Sequence, residues 1–334
     1  MLRIAVIGAG RIGQVHAATV ANHPDAELVL VCDPVIAAAE RLAAKFNARA
    51  AADAAEAFAA DDVDAVVIGS PTPLHPEHVL AATRAGKAVL CEKPIAPTVA
   101  SARELADELA SFEHPPVMVG FQRRYDPSIA KARQLIDEGV IGEVEQVTIT
   151  SRDPAPPDAA YMAASGGIFA DMTIHDFDEA RFFLGDIAAV TAIGQNLDPK
   201  LADCGDFDGA VVLLRSTTGA AATITNSRHC ATGYDQRIEV FGPLGTLNVT
   251  NLKPTALEVS TKQASAAQDP YLDFFLERYA EAYRDELTAF IDAINAGTPI
   301  CPNVTDGVQA LVLAEAATES ARTGATVQIQ GGIS

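Results

Sequence analysis

Three titratable residues, Asp171, His175 and Asp178, lie four and three positions apart in the segment YMAASGGIFADMTIHDFD, residues 161–178. If the chain is helical from about Asp171 onward, this spacing puts all three side chains on one helix face. A carboxylate one turn from an imidazole can fix its tautomer and stabilise its protonated form, which is how a general base near neutral pH is built. The alternative is a helix that carries ordinary polar residues.

A glycine-rich segment, Gly8-Ala9-Gly10-Arg11-Ile12-Gly13, reads G-x-G-x-x-G between an apolar strand-like run and a helical pattern. In that context Gly8 permits a tight turn, Gly10 lets the backbone approach a pyrophosphate, and Gly13 allows close helix–strand packing. Asp33 ends the next predicted strand, where a carboxylate accepts hydrogen bonds from ribose hydroxyls and repels a 2′-phosphate. The pattern predicts a dinucleotide site that prefers NAD to NADP.

Lys93 lies in the sequence Cys91-Glu92-Lys93-Pro94, at the carboxyl end of a predicted strand. That edge lines the ligand crevice in an open parallel sheet, so a lysine there can donate to a substrate hydroxyl and steady a developing carbonyl oxygen. The alternative is a surface lysine before a turn proline. The candidates for the nicotinamide side of the site follow the preceding strand and are Ser70, Thr72 and His75. His75 is equally interpreted as a polar residue in the first turn of a helix.

Over the first 120 residues, segments with the sequence pattern of strands alternate with segments that have the pattern of helices, and these elements must position the residues named above. Short apolar strands are predicted at 3–7, 28–32, 65–68, 88–91 and 117–120, and Ala-rich helices at 12–21, 36–46, 75–85 and 99–111. Buried strands separated by helices indicate a parallel sheet. The acidic, Ala-rich stretch 50–62 is interpreted as solvated helix.

A different pattern follows. A helix is predicted at 127–138, then strands at 144–150, 190–194, 209–215, 220–227, 237–241, 246–250 and 257–260, and closing helices at 271–296 and 307–322. Turn sequences between the strands indicate an antiparallel or mixed sheet. The fold class is therefore α/β, with an N-terminal Rossmann domain over residues 1–122 and a second α/β domain over 123–334 that carries a large open sheet. Self-association is the expected cover for such a sheet.

Composition narrows the classes of function. Apolar residues make up 49% of the chain and charged residues 20%, which is typical of a globular protein. The net charge of −20 argues against a nucleic-acid partner or an anionic membrane surface. The N-terminus enters a strand at once, and no long apolar run follows, so we expect neither a signal peptide nor a membrane span. Five scattered cysteines give no zinc signature and fit a reducing cytoplasm.

Three ordered motifs together resemble a known family. They are G-x-G-x-x-G at the N-terminus, E-K-P at 92–94 and GG-x-x-x-D-x-x-x-H at 166–175. They are similar to those of the glucose–fructose oxidoreductase/inositol dehydrogenase/rhizopine catabolism (Gfo/Idh/MocA) family over essentially the whole chain. The segments SRDPAPP, GGIFADMTIHD and NSRHCATGYDQR look most like its myo-inositol 2-dehydrogenase branch. The resemblance implies a homotetramer assembled through the C-terminal sheet, and NAD-dependent oxidation of a ring hydroxyl to a ketone.

The family pattern also implies roles for individual residues. Lys93, Asp171 and His175 match its catalytic positions, so His175 is expected to take the hydroxyl proton while hydride leaves the same carbon for NAD. The expected cofactor contacts are Gly8, Gly10, Arg11, Ile12, Asp33, Ser70, Thr72, His75, Glu92, Lys93 and Arg123. The expected contacts to a neutral polyol are Lys93, Arg123, Asp153, Met172, Asp178 and Tyr234. Arg124, beside Arg123, is interpreted as a partner in a structural salt bridge.

Other functions compete with this interpretation. Within the same family the substrate could be scyllo-inositol, D-chiro-inositol or another sugar or polyol, because the residues around the Asp–His pair set the stereoisomer. A nucleotide-sensing regulator would bind NAD without turnover, but it would not need Lys93 and the Asp–His pair. A metal-dependent hydroxyacid enzyme lacks ligands, since no further His or Cys is placed to join His175 with Asp171 and Asp178.

Overall fold

The computed structural model describes residues 1–112, 116–157, 161–162, 165–201 and 204–329. Its first sheet has six strands in the order β3-β2-β1-β4-β5-β6, and every neighbouring pair is parallel. The strands are β1 (Leu2–Ile7), β2 (Ala26–Cys32), β3 (Arg49–Ala51), β4 (Ala65–Ile68), β5 (Ala88–Glu92) and β6 (Val117–Gly120). The strand order reverses between β1 and β4, which is where nucleotides bind in sheets of this kind.

Helices connect these strands, and the predicted α/β class is confirmed. They are α1 (Arg11–Ala21), α2 (Ile36–Ala44), α3 (Ala54–Ala59), α4 (His75–Arg84) and α5 (Val99–Leu109). All residues of β4, β5 and β6 are buried, as expected for parallel strands covered on both faces. The prediction of helix throughout 50–62 is wrong, because Arg49–Ala51 pairs with β2 before α3 begins. Strand β3 consists of one arginine and two alanines, which are too few to show the alternation that identifies a strand.

The chain divides into two compact units, and the first is discontinuous in sequence. It comprises Met1–Tyr125 and Ala282–Leu311, and the second comprises Asp126–Glu281 and Val312–Ser334. The later part contributes most of the helix Ala280–Ala296, whose Leu287, Phe290 and Ile291 belong to the apolar core of the first unit. The sequence predicts one domain boundary, between residues 122 and 123, and so does not predict that residues 282–311 belong to the first unit.

The second unit contains a mixed seven-stranded sheet, as predicted. Its strand order is β12-β11-β7-β10-β9-β8-β15, in which β7 and β10 are parallel and the other neighbours antiparallel. The strands are β7 (Gln146–Arg152), β8 (Ile187–Gln195), β9 (Gly209–Ser216), β10 (Ala221–Ser227), β11 (Asp235–Gly242), β12 (Gly245–Val249) and β15 (Val327–Gln328). The strand predicted at 257–260 is not part of this sheet, since β13 (Glu258–Val259) pairs with β14 (Ala267–Gln268) in a two-stranded sheet of their own.

One face of this sheet packs on helices. The remaining helices are α6 (Pro127–Asp137), α7 (Ile168–Asp171), α8 (Thr173–Leu184), α9 (Phe275–Arg278), α10 (Ala280–Ala296) and α11 (Val304–Thr323). Phe177 and Phe183 of α8 join Ile149, Val212 and Ile224 of the sheet in one buried apolar cluster. On the strands, buried residues alternate with exposed or half-buried ones, so the opposite face carries the less buried side chains. Among the described helices, none combines the length and the apolar character that crossing a bilayer requires.

Candidate active site

The glycine loop between β1 and α1 has the geometry of a phosphate cradle. Gly8 adopts a φ of +103°, a conformation that side chains disfavour. A Cβ on Gly13 would lie 1.9 Å from the carbonyl oxygen of Gly8, so only glycine lets α1 pack against the loop. A Cβ on Gly10 would meet nothing within 4 Å. The loop therefore leaves open space beside Gly10 at a helix N-terminus, where a pyrophosphate fits.

Asp33, at the end of β2, holds the same loop. Its Oδ2 accepts a hydrogen bond from the N–H of Ala9 at 2.8 Å, and its Oδ1 accepts one from the N–H of Val35 at 2.8 Å. A carboxylate offers about four acceptor positions, so two remain for ribose hydroxyls. Arg11 and Ile12, the first residues of α1, are exposed and half-buried respectively. The residues present thus fit a dinucleotide with an unmodified ribose.

In the segment that follows β4, His75 and His78 form hydrogen bonds with Ser70. The ring of His75 is buried, with Nδ1 2.8 Å from the carbonyl oxygen of Pro94 and Nε2 2.8 Å from that of Ser70. Burial lowers the pKa of His75, while the two carbonyl contacts act in the opposite direction. The hydroxyl of Ser70 lies 3.0 Å from Nδ1 of His78, and Thr72 is half-buried. His75 therefore links this segment to the turn that follows Lys93.

Lys93 is half-buried and follows directly on β5 through a buried glutamate. Glu92 places Oε1 2.7 Å from Nε2 of His16, and its Oε2 accepts the N–H of Lys93 at 3.2 Å. A Cβ on Gly120 would lie 3.3 Å from the carboxyl group of Glu92, so glycine at the end of β6 makes room for it. The side chain of Glu92, expected to contact the cofactor, thus bonds within its own unit and fixes the backbone that carries Lys93.

The two arginines after β6 lie in a short 3-10 turn, Gln122–Tyr125. Both are buried, with exposed fractions of 4% for Arg123 and 9% for Arg124. Arg124 forms an ion pair with Asp306 at 3.1 Å, which confirms the predicted salt bridge. Its structural role leaves Arg123 as the candidate for ligand contact.

In the second unit, the predicted continuous helix through Asp171 and His175 is interrupted. Helix α7 ends at Asp171, α8 begins at Thr173, and Met172 lies between them with φ −98° and ψ −59°. His175 is half-buried in the first turn of α8. The Asp171 carboxylate accepts a hydrogen bond from the Tyr161 hydroxyl at 2.9 Å. It also lies 3.3 Å from both terminal nitrogens of Arg228.

A buried polar network lies beside His175. Asn226, near the end of β10, accepts a hydrogen bond from the Thr173 hydroxyl at 2.9 Å and donates one to Asp176 at 2.6 Å. Thr173 and Asp176 have no exposed surface. The sequence interpretation missed Asn226 and Arg228. Asn226 could have been recognised as a polar residue at a position of β10 where the alternation predicts a buried, apolar one. Arg228 directly follows the strand.

The remaining substrate candidates all belong to the second unit. Met172 is 6% exposed and packs in the apolar cluster, and Asp178 is 1% exposed. Asp153 is half-buried, and its N–H donates to the carbonyl oxygen of Ser227 at 2.9 Å. Tyr234 packs edge-on against Tyr279, with ring centroids 6.1 Å apart. Among the described residues, no three His, Cys, Asp or Glu side chains are grouped to hold a metal ion.

Comparison with known proteins identifies related chains. Residues 2–121 match the family model of the GFO/IDH/MocA oxidoreductases with an NAD-binding Rossmann fold, and residues 129–248 match the GFO/IDH/MocA C-terminal domain. An inositol 2-dehydrogenase of Rhizobium meliloti (strain 1021) is 45% identical over 322 residues, 96% of each chain.

Two solved structures are similar over almost the whole chain. A myo-inositol dehydrogenase from Corynebacterium glutamicum ATCC 13032 shares 47% identity, with a TM-score of 0.96 and 99% of each chain covered. A scyllo-inositol dehydrogenase from Lactobacillus casei, solved with NAD(H) and scyllo-inositol bound, shares 30% identity, with a TM-score of 0.91. The match covers 99% of this chain and 100% of that one.

Proposed function

This chain belongs to the GFO/IDH/MocA family of oxidoreductases, and from that premise we propose which reaction it performs and which residues perform it. It is an NAD-dependent inositol dehydrogenase, and myo-inositol, oxidised to its 2-keto form, is the proposed substrate. Inositol dehydrogenases among its relatives and structural neighbours support this activity. When bound, NAD supplies the acceptor for the hydride that leaves the substrate carbon.

The nucleotide loop binds the cofactor in this reaction. The open space at Gly10 and the N-terminus of α1 accept the pyrophosphate. Asp33 offers its remaining acceptor positions to the ribose hydroxyls, and its negative charge disfavours a 2′-phosphate. These contacts hold the cofactor and set its identity, and they take no part in proton transfer.

His175 is the proposed general base. An imidazole titrates near neutral pH, so it can accept the hydroxyl proton and later release it. One observation carries the assignment: the Asp171 carboxylate, held by Tyr161 and Arg228, closes α7 just before the turn that bears His175. Asp171 is proposed to orient His175 and to balance its charge after proton transfer. Lys93 is proposed to donate a hydrogen bond to the reacting oxygen as it becomes a carbonyl.

A substrate panel tests the proposed reaction. Myo-, scyllo- and D-chiro-inositol and several aldoses are offered with NAD, and the absorbance of NADH is followed. We expect the highest kcat/KM with myo-inositol. A preference for scyllo-inositol would instead favour the second candidate, which the neighbour with bound scyllo-inositol supports. NAD binding without turnover of any polyol would contradict both candidates.

A homotetramer assembled through the sheet of the second unit is also proposed. Ile193 and Leu213, on adjacent strands, are 63% and 53% exposed. Leu213 lies between Thr191 and Thr223 on the neighbouring strands, and Ile193 is paired with Val211. An exposed apolar sheet face is a typical interface, because self-association removes it from water. Sedimentation should give a mass four times that of the chain, and Leu213→Glu should reduce it. A monomeric wild-type protein would contradict this assembly.

A further inference from the structure

Two buried polar residues lie at the end of strand β10, one within the strand and one directly after it. Along this strand the inward positions are Ala222 and Ile224, followed by Asn226 at 4% exposure and Arg228 at 1%, just after the strand ends. A buried amide or guanidinium destabilises the fold unless its hydrogen bonds are formed. The partners of Asn226 and Arg228 therefore show what these two side chains are retained for.

Asn226 bonds the first turn of α8 on either side of His175. The Asp176 carboxylate, at 2.6 Å, is an acceptor when ionised, so the amide nitrogen of Asn226 must face it. The amide oxygen then accepts from the hydroxyl of Thr173 at 2.9 Å. Because Thr173 and Asp176 lie on either side of His175, the helical turn that carries His175 cannot rotate or slide without breaking a buried bond.

Arg228 holds both ends of α7. Its two terminal nitrogens lie 3.3 Å from Oδ2 of Asp171, the last residue of that helix. One of them also lies 3.7 Å from Oδ2 of Asp206, whose Oδ1 accepts the N–H of Ile168, the first residue of the helix. A single buried cation thus connects the carboxylates at the start and at the end of α7.

We infer that Asn226 and Arg228 are positioning residues, which hold Asp171 and His175 in the mutual geometry that proton removal requires. Helices α7 and α8 meet at Met172, whose dihedral angles stay in the right-handed helical region. Arg228 ties the last residue of α7, and Asn226 ties the first turn of α8, to the end of the same strand. Asn226 lies in β10 and Arg228 directly follows the strand, and their bonds reach α8 and α7 respectively. The inference rests on the proposed function of Asp171 and His175.

Four variants test it: Arg228→Met, Arg228→Lys, Asn226→Ala and the control Ser227→Ala. Ser227 lies between the two positions, and its hydroxyl bonds the N–H of His229 rather than either helix. The measurements are kcat, KM, the NAD dissociation constant, the melting temperature, and the primary isotope effect with inositol deuterated at the reacting carbon. A misplacement of about 1 Å can lower a rate about a hundredfold.

We expect kcat to fall by about that factor in Arg228→Met and Asn226→Ala. The isotope effect on kcat should rise as hydride transfer becomes rate-limiting, while NAD affinity is kept. Arg228→Lys keeps the charge but not the forked geometry, so it should restore part of the lost rate. Ser227→Ala should behave as wild type. If Arg228→Met does not fold, Arg228→Lys and Asn226→Ala decide the question.

Two results would overturn the inference: turnover within twofold of wild type in the folded variants, or a loss that follows melting temperature and NAD affinity with no change in isotope effect. His175→Ala and Asp171→Asn are measured in parallel. If these retain turnover, the proposed function fails. If they lose turnover while the Arg228 and Asn226 variants keep it, the proposed function stands and only the positioning role is wrong.

Discussion

The Nε2 atom of His16 lies 2.7 Å from Oε1 of Glu92, and both side chains are almost completely buried. Glu286 is buried in the same unit without any exposed surface, and its helix also carries Tyr283, whose ring packs edge-on against His16. Burial raises the pKa of Glu286 well above its ordinary value, and the charge of Glu92 raises it further. Burial and the neighbouring Glu92 carboxylate therefore both favour the neutral form of Glu286.

Replacing Glu286 with Gln should stabilise the protein increasingly as pH rises. The folded pKa of Glu286 is above its unfolded value, so its favourable contribution is complete below about pH 4 and is lost as pH increases toward the raised pKa. Glutamine has no such penalty. We expect the gain, measured by urea denaturation, to be larger at pH 8 than at pH 5 and to grow by at most about 1.4 kcal/mol per pH unit. Glu281→Gln, at an exposed position of the same helix, is the control. A gain that does not vary with pH would contradict this account.

Alanine at two glycines of the nucleotide loop should impair different properties: NAD affinity at Gly10 and stability at Gly13. Gly10 has an ordinary φ of −68° and open space around it, so Gly10→Ala should fold normally but weaken NAD binding at least about tenfold, because the methyl group occupies the pyrophosphate position. Gly13→Ala would place a methyl group 1.9 Å from the Gly8 carbonyl oxygen and should lower the melting temperature. Calorimetric titration and thermal unfolding separate the two. Unchanged NAD affinity in Gly10→Ala would place the pyrophosphate elsewhere.

Asp33→Asn should weaken the preference for NAD over NADP. The substitution keeps the shape of the side chain and one oxygen for the loop amides, but it removes the charge that repels a 2′-phosphate. We expect the ratio of kcat/KM for the two cofactors to fall by about tenfold or more, as about 1.4 kcal/mol of discrimination is lost. Asp53→Asn, which keeps an N-cap residue on α3, should leave the ratio unchanged. A wild-type enzyme that prefers NADP would refute the role of Asp33.

His175→Ala and Lys93→Ala should each abolish most turnover. Loss of a general base or of a donor to the reacting oxygen lowers kcat by about 10²–10⁴-fold, while NAD binding is expected to remain. His229→Ala is a suitable control, since its half-exposed ring lies at the surface, 3.6 Å from the carboxylate of Asp198. Wild-type turnover in either of the first two variants would remove that residue from the mechanism.

Sequence alone predicted the elements with a clear hydrophobic period. The central parallel strands of the first unit are continuous apolar runs, and the longer strands of the second unit alternate between buried and less buried positions. Both patterns can be recognised in a sequence. Arg49–Ala51 was missed because it pairs through only three residues. The break at Met172 was missed because Asp171 and His175 have helical spacing whether or not the helix is continuous.

The roles of the positioning side chains could not be predicted from the sequence, for a different reason. Asn226 and Arg228 bond residues about 50 positions earlier in the chain, and tertiary pairing at that separation has no local pattern. The same holds for His16 and Glu92, 76 positions apart. The motifs predicted which residues are candidates for chemistry, but the residues that hold them became visible only in the fold.

The return of residues 282–311 to the first unit has a consequence for how the protein is made. During synthesis the six parallel strands leave the ribosome long before Leu287, Phe290 and Ile291, which complete their apolar core. Domains generally fold as units in the order of synthesis. Here the first domain must wait for the whole of Asp126–Glu281 to be translated. A nascent chain therefore exposes an unfinished nucleotide fold while residues 126–281 are being translated, and chaperones can bind it during that interval.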